Sequence, residues 1–221
     1  MVFIGTEGGE AGMIFSENII ICIALPLLLT VFFVRDSARR LVINFIIGMI
    51  VCLLGAYVSG FIDVVSGYGT QDTAIFVSPV VEETMKFLPL IFYFLMLQPE
   101  DDRLLHAAAG IGAGFASYEN VCSMITSGTE NFAFLLIRGL AVGVMHIVSV
   151  SALALGLMVA RYYKVSGLSS ILGALSLGML FHGIYNLLVS ERGVSSAIGF
   201  SLPLITAFIL LLVYKRFILY R

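Results

Sequence analysis

Two adjacent acids, Glu82 and Glu83, stand with Lys86 inside a run of otherwise apolar residues, and further apolar runs carry Glu119, Arg138, His146, His182 and Asn186. Carboxylates and imidazoles that meet in a partly dry cavity hold the ingredients of hydrolysis, because a carboxylate can take the proton from a water as it attacks an amide carbonyl. His182 and Asn186 could then donate hydrogen bonds to the developing oxyanion, often the largest single catalytic contribution. A second route has zinc held by Glu119, His146 and His182, with another Glu left as the base. No H-E-x-x-H pattern occurs to choose between them.

Spacing narrows the roles. His182 and Asn186 are four residues apart and stack on one helical face, as do Glu82 and Lys86. Glu82 and Glu83 diverge by about 100° around a helix axis, so one acid should face the reaction while the other orients it. Ser78 and Pro79 precede them in the order of an N-cap and a first helical residue. Either a helix begins there, with its dipole favouring the acidic pair, or a proline kinks a continuous span.

The elements that position these groups must lie in a bilayer. Of 221 residues, 60% are hydrophobic and 12% charged; soluble chains carry about 25% charged residues. Crossing a hydrocarbon core of about 30 Å takes roughly 20 helical residues. Seven runs qualify, at 18–34, 41–61, 74–97, 104–125, 132–160, 167–189 and 197–214, which predicts an all-α bundle forming a single transmembrane domain over 1–221. Nothing in them alternates as a barrel strand would. The first run follows Glu7, Glu10 and Glu17 rather than a basic segment, and so reads as a retained span rather than a signal peptide.

Cations set the direction. Arg35, Arg39, Arg40, Arg103, Arg161, Lys164, Lys215, Arg216 and Arg221 fall at alternate ends of the seven runs, and only Arg192 falls at the opposite ends. Lys and Arg mark the cytoplasmic side, so the N-terminus is expected outside and the C-terminus in the cytoplasm. Helices rise about 1.5 Å per residue, which puts Glu82, Glu119 and His182 in one layer about 10–12 Å below the outer boundary. Arg138 enters at a similar level, and His146 lies two turns deeper. Charged groups in a bilayer cost a few kcal/mol each and mark function. The scattered cations and the net charge of −2 exclude a nucleic-acid surface. Cys22, Cys52 and Cys122 lack paired spacing and read as packing residues. Ala107, Ala108, Ala109, Gly110, Gly112 and Gly114 offer a close-packing face, within one chain or between two.

Four segments now stand in order: Glu82-Glu83-Thr84-Met85-Lys86 as E-E-x-x-K, Phe115–Asn120 as F-x-x-x-E-N, Arg138 ahead of His146, and Phe181–Asn186 as F-H-x-x-Y-N. Together they resemble the motifs of the PrsW family of intramembrane proteases, within the wider group that includes the CAAX prenyl endopeptidases. The resemblance implies a multi-pass protein of a bacterial cell membrane that makes the site-1 cut in a single-span anti-sigma factor on its extracytoplasmic side. It also implies that Glu82 and Glu83 are the catalytic acidic pair, that Glu119, His146, His182 and Asn186 complete the centre, and that Lys86, Asn120 and Arg138 support it. Relatives are described both as metalloproteases and as glutamate-dependent enzymes, so zinc stays open. Two other classes compete: a proton-coupled transporter, since acids and imidazoles also build proton relays, and a noncatalytic membrane protein that binds a partner.

Overall fold

The computed structural model describes residues 2–4, 12–14, 20, 23, 27–29, 36–127, 132–163, 167–191 and 193–219. In lipid each backbone group needs a partner from its own chain, and the apolar runs meet that need as long helices. These are α1 (Asp36–Ser66), α2 (Ser78–Leu97), α3 (Asp101–Ser127), α4 (Phe132–Tyr162), α5 (Gly167–Ser190) and α6 (Val194–Leu219). Of the expected first span, 18–34, only Ile20, Ile23 and Leu27–Leu29 fall within the described residues, all of them helical; Cys22 lies outside them. Among the described residues a short antiparallel pair, β1 (Val2–Ile4) with β2 (Gly12–Ile14), sets Val2 opposite Ile14 and departs from the expected all-helical chain.

Among the described residues, three stretches are long and apolar enough to cross a bilayer: Asp36–Ser66, Leu136–Tyr162 and Gly167–Ser190. The helices α2 and α3 differ from these in their charges, α2 holding Glu82, Glu83 and Lys86 within its apolar run and α3 holding Glu119.

Small residues decide how the helices pack. A Cβ on Gly110 would sit 2.8 Å from the Asn44 side chain, and one on Gly114 would collide with the carbonyl of Phe45, both on α1. On α1 itself, a Cβ at Gly48 would meet the Ile111 carbonyl of α3. From the other side of α3, a Cβ on Gly112 would come within 2.7 Å of the Ile147 backbone on α4. The expected small-residue face therefore works within the chain, holding α3 in backbone contact with both neighbours. Around it lies a core that includes Met49, Cys52, Leu90, Leu104, Ile111, Phe115, Val150 and Leu157, with Cys122 packed against it.

The approach to α2 resolves the question of Ser78 and Pro79. Gly67 and Gly69 turn the chain with φ of 70° and 87°, values that favour a residue without a Cβ. A helical turn (Thr70–Asp72) then leads into a π-helical segment (Thr73–Val77) that runs into α2 without a break. Ser78 is itself helical, with φ −56° and ψ −44°, and its N–H bonds to the Thr73 carbonyl. Ser78 is thus not an N-cap, and the proline sits in a continuous helix. In this wider register the next carbonyl, that of Ala74, would look to the N–H of Pro79, which has none.

Candidate active site

Asn186, on α5, supplies the missing donor. Its Nδ2 reaches the Ala74 carbonyl at 2.8 Å, so the helix carrying the acidic pair is fixed by a side chain from its neighbour. At the same place Thr73 Oγ1 donates to Asp63 Oδ1 of α1 at 2.8 Å.

One turn beyond Pro79 the acids diverge as their spacing predicts. Glu83 and Lys86 are fully enclosed and lie 2.6 Å apart. Lys86 Nζ also lies 2.7 Å from His146 Nδ1 and 4.6 Å from the centre of the Phe115 ring. An ammonium carries three donors and no acceptor, and these three contacts use all of them. Phe115 also packs on the His146 ring, with centroids 4.7 Å apart.

The ammonium fixes the imidazoles in turn. Since Lys86 can only donate, His146 Nδ1 must accept, which leaves the proton of the neutral ring on Nε2. That nitrogen donates to Glu119 Oε2 at 2.6 Å. Glu83 Oε1, already accepting from Lys86, takes a second hydrogen bond from His182 Nδ1 at 2.9 Å. The Nε2 of His182 is then a bare lone pair, and it faces Glu82 Oε2 at 3.7 Å. Two acceptors stand opposite each other there, too far apart for a direct hydrogen bond, and Glu82 Oε2 is buried with no partner. Such a gap suits a water or a cation between them.

Glu119 is flanked on its other side by Arg138, whose Nη2 lies 3.7 Å from Oε1. Residues from α2, α3, α4 and α5 thus meet in one cluster about two helical turns from the Ser127 and Ser190 ends of α3 and α5. His146, expected two turns deeper, is in direct contact with Glu119 and Lys86. Asn186 is the exception, because its amide nitrogen is directed to Ala74. Of the donors expected to hold the oxyanion, the His182 proton goes to Glu83 and one of the two Asn186 amide protons goes to the Ala74 carbonyl. Asn120, beside Glu119, is half-buried with its Oδ1 unpartnered.

One atom each from Glu82, His146 and His182 fall within 4.8 Å of one another, a spread that a single metal ion could span. The sequence reading had Glu119 in that set, but the structure places Glu82 there and gives Glu119 to the His146 ring. The donors, two imidazoles and a carboxylate, suit zinc. The partnerless Glu82 oxygen facing a bare lone pair is consistent with such an ion. His146 would have to release Lys86 or Glu119 to join it.

Two contributors were missed in the sequence. Phe115 was read only as a motif letter, yet it forms the aromatic wall behind Lys86 and His146. Tyr185, 2% exposed, packs with Ala116, Ala141, Val142 and Met145, and its hydroxyl is buried without a partner.

Comparison with known proteins adds a family. A profile described as PrsW family intramembrane metalloprotease matches residues 36–214. No curated protein matches the chain, and no solved structure does.

Proposed function

Since this chain belongs to the PrsW family of intramembrane metalloproteases, matched over residues 36–214, we propose that the membrane protease cuts a single-span membrane protein near its extracytoplasmic face, with Glu82 as the general base. The observation that carries this reading is Glu82 Oε2, a buried carboxylate oxygen without a hydrogen-bond partner that faces the His182 lone pair at 3.7 Å. A water held between these acceptors gives a proton to Glu82 as its oxygen bonds to the amide carbon. The carbonyl π pair moves onto oxygen. Collapse of that adduct breaks the C–N bond, and the proton passes to the departing nitrogen. Glu83 holds His182 by Nδ1, and Lys86 neutralises Glu83. Glu119 and Arg138 hold the His146 side of the cavity.

Held by Glu82, His146 and His182, the family's metal would itself polarise the carbonyl and acidify the water, taking over the part that Glu82 plays as base without it. The nine-to-one cation asymmetry supports seven spans with the N-terminus outside and the C-terminus in the cytoplasm. With that orientation, the cluster lies toward the exterior. A single-span anti-sigma factor in a bacterial cell membrane fits a site inside a helical bundle, reached from the lipid.

The test is cleavage of such a protein by the purified enzyme in lipid nanodiscs, with the new terminus located by mass spectrometry. Glu82→Gln should lower kcat by about 10²–10⁴-fold with helix content unchanged. Wild-type cleavage by that variant would remove Glu82 as base, and a cut on the cytoplasmic side would refute the orientation.

A further inference from the structure

Hydrolysis of an amide needs donors for the oxygen that gains charge, and of the two groups expected to serve, His182 gives its proton to Glu83 while Asn186, tied to Ala74, keeps one amide proton. The buried polar atoms without partners show what remains. Glu82 Oε2, Glu83 Oε2 and Asn120 Oδ1 are acceptors. Near the cluster, two are donors: Arg138 Nε and the hydroxyl of Tyr185.

These donors flank one packed cluster. Ala141 and Val142 lie three and four residues after Arg138, on the same face of α4, and share that cluster with Tyr185. From α3, Ala116 touches the same group one turn before Glu119, the residue that Arg138 faces at 3.7 Å. Two buried donors, one anchored by an ion pair and the other by its ring among small and apolar side chains, offer hydrogen bonds that only an acceptor can take.

We propose that Arg138 Nε–H and the Tyr185 hydroxyl form the pocket that receives the carbonyl oxygen of the scissile peptide bond and holds it as an oxyanion. This rests on the proteolytic reading above and assigns the one role that reading leaves unfilled. Water occupies the position at rest, and the carbonyl oxygen of the substrate displaces it. The adduct oxygen carries a full negative charge where the ground-state carbonyl carries a partial one. Both donors therefore bind the adduct more strongly, which raises kcat more than it lowers KM.

Tyr185→Phe is a clean probe because it removes a buried hydroxyl that has no protein partner, a change that should leave stability equal or higher. Wild type and variant are compared on a single-span peptide carrying a fluorophore and quencher across its extracytoplasmic juxtamembrane segment, and on a phosphinate analogue of that peptide. The expected result is a fall in kcat of about 10²-fold, KM within about twofold, and weaker phosphinate binding by a similar factor, at unchanged melting temperature. Arg138→Lys keeps the charge beside Glu119 but withdraws the Nε donor, and should act in the same direction. Equal kcat and equal phosphinate affinity in wild type and Tyr185→Phe would overturn the pocket and leave Tyr185 a packing residue. Failure of the wild type to cleave or bind the phosphinate would instead count against the proteolytic reading.

Discussion

Lys86 is the residue whose removal should be felt furthest, and the cost can be worked from its surroundings. It is fully enclosed, paired with an equally enclosed Glu83 at 2.6 Å, and also in contact with His146 and Phe115. Lys86→Met retains most of the apolar stem but leaves Glu83 as a buried charge without its counter-ion. Breaking a buried pair from one side costs about 3–5 kcal/mol, which at about 2–4 °C per kcal/mol for a chain of this size corresponds to a melting temperature lower by roughly 10 °C. Adding Glu83→Gln removes the stranded charge while still offering His182 Nδ1 an acceptor. The double variant should then recover to within about 1–2 kcal/mol of wild type, the remainder reflecting the lost contact with Phe115. Cys52 supplies the assay, since its thiol is buried in the core and becomes reactive to a maleimide dye only as the bundle opens in detergent. Both variants should lack cleavage activity, so stability and function separate. A single variant as stable as wild type, or a double variant no better than the single, would refute the claim that Lys86 neutralises a buried acid.

Asn186→Ala should leave the Ala74 carbonyl without a donor, lowering stability by about 1–3 kcal/mol and cleavage only partly; background-level cleavage at full stability would put the amide into the chemistry instead. Gly114→Val should destabilise by about 1–3 kcal/mol or more, because the new side chain meets the Phe45 carbonyl. Gly139→Ala, with nothing within 4 Å of the added Cβ, should be neutral or slightly stabilising, and similar melting of the two would refute the close approach. Metal analysis of purified protein should show bound zinc lost in His182→Ala and Glu82→Gln but retained in Glu119→Gln, and loss in Glu119→Gln with retention in Glu82→Gln would restore the ligand set read from sequence.

Much of this site was legible before any coordinates, because a bilayer makes polar residues conspicuous. Glu82, Glu119, Arg138, His146 and His182 stood out on cost alone, and counting residues along helices brought all but His146 to one depth. That count treats each span as a straight, upright rod, and so put His146 two turns too deep. The roles of Ser78 and Asn186 were harder to see. An N-cap and a residue inside a π-helical turn share the same local letters, and the difference lies in which carbonyl a proline deprives of its donor. Asn186 then answers that carbonyl from another helix, a tertiary fact that spacing within one helix does not encode. Glu119 was read as the carboxylate shared by the two imidazoles, whereas it lies 2.6 Å from His146 and Glu82 faces His182, a partition that depends on how four helices pack. Tyr185 entered only as the Y of F-H-x-x-Y-N, since a tyrosine in an apolar span reads as packing unless its hydroxyl is known to lack a partner.

The glycine contacts that hold α3 against α1 and α4 bear on how a peptide reaches the acids. Where backbones touch, no side chain can swing aside, and separating those helices would expose bare peptide groups to hydrocarbon. A guest strand entering instead from the opposite flank, along α2 and α5, would meet a looser seam, where a Cβ at Gly178 would lie 3.4 Å from the Glu83 side chain and one at Gly183 3.5 Å from the Ile75 carbonyl. The Asn186–Ala74 bond spans that seam. A guest that wedges it apart would strain the very link that sets the pitch of the acidic helix, so arrival of the peptide and alignment of the base become a single mechanical event.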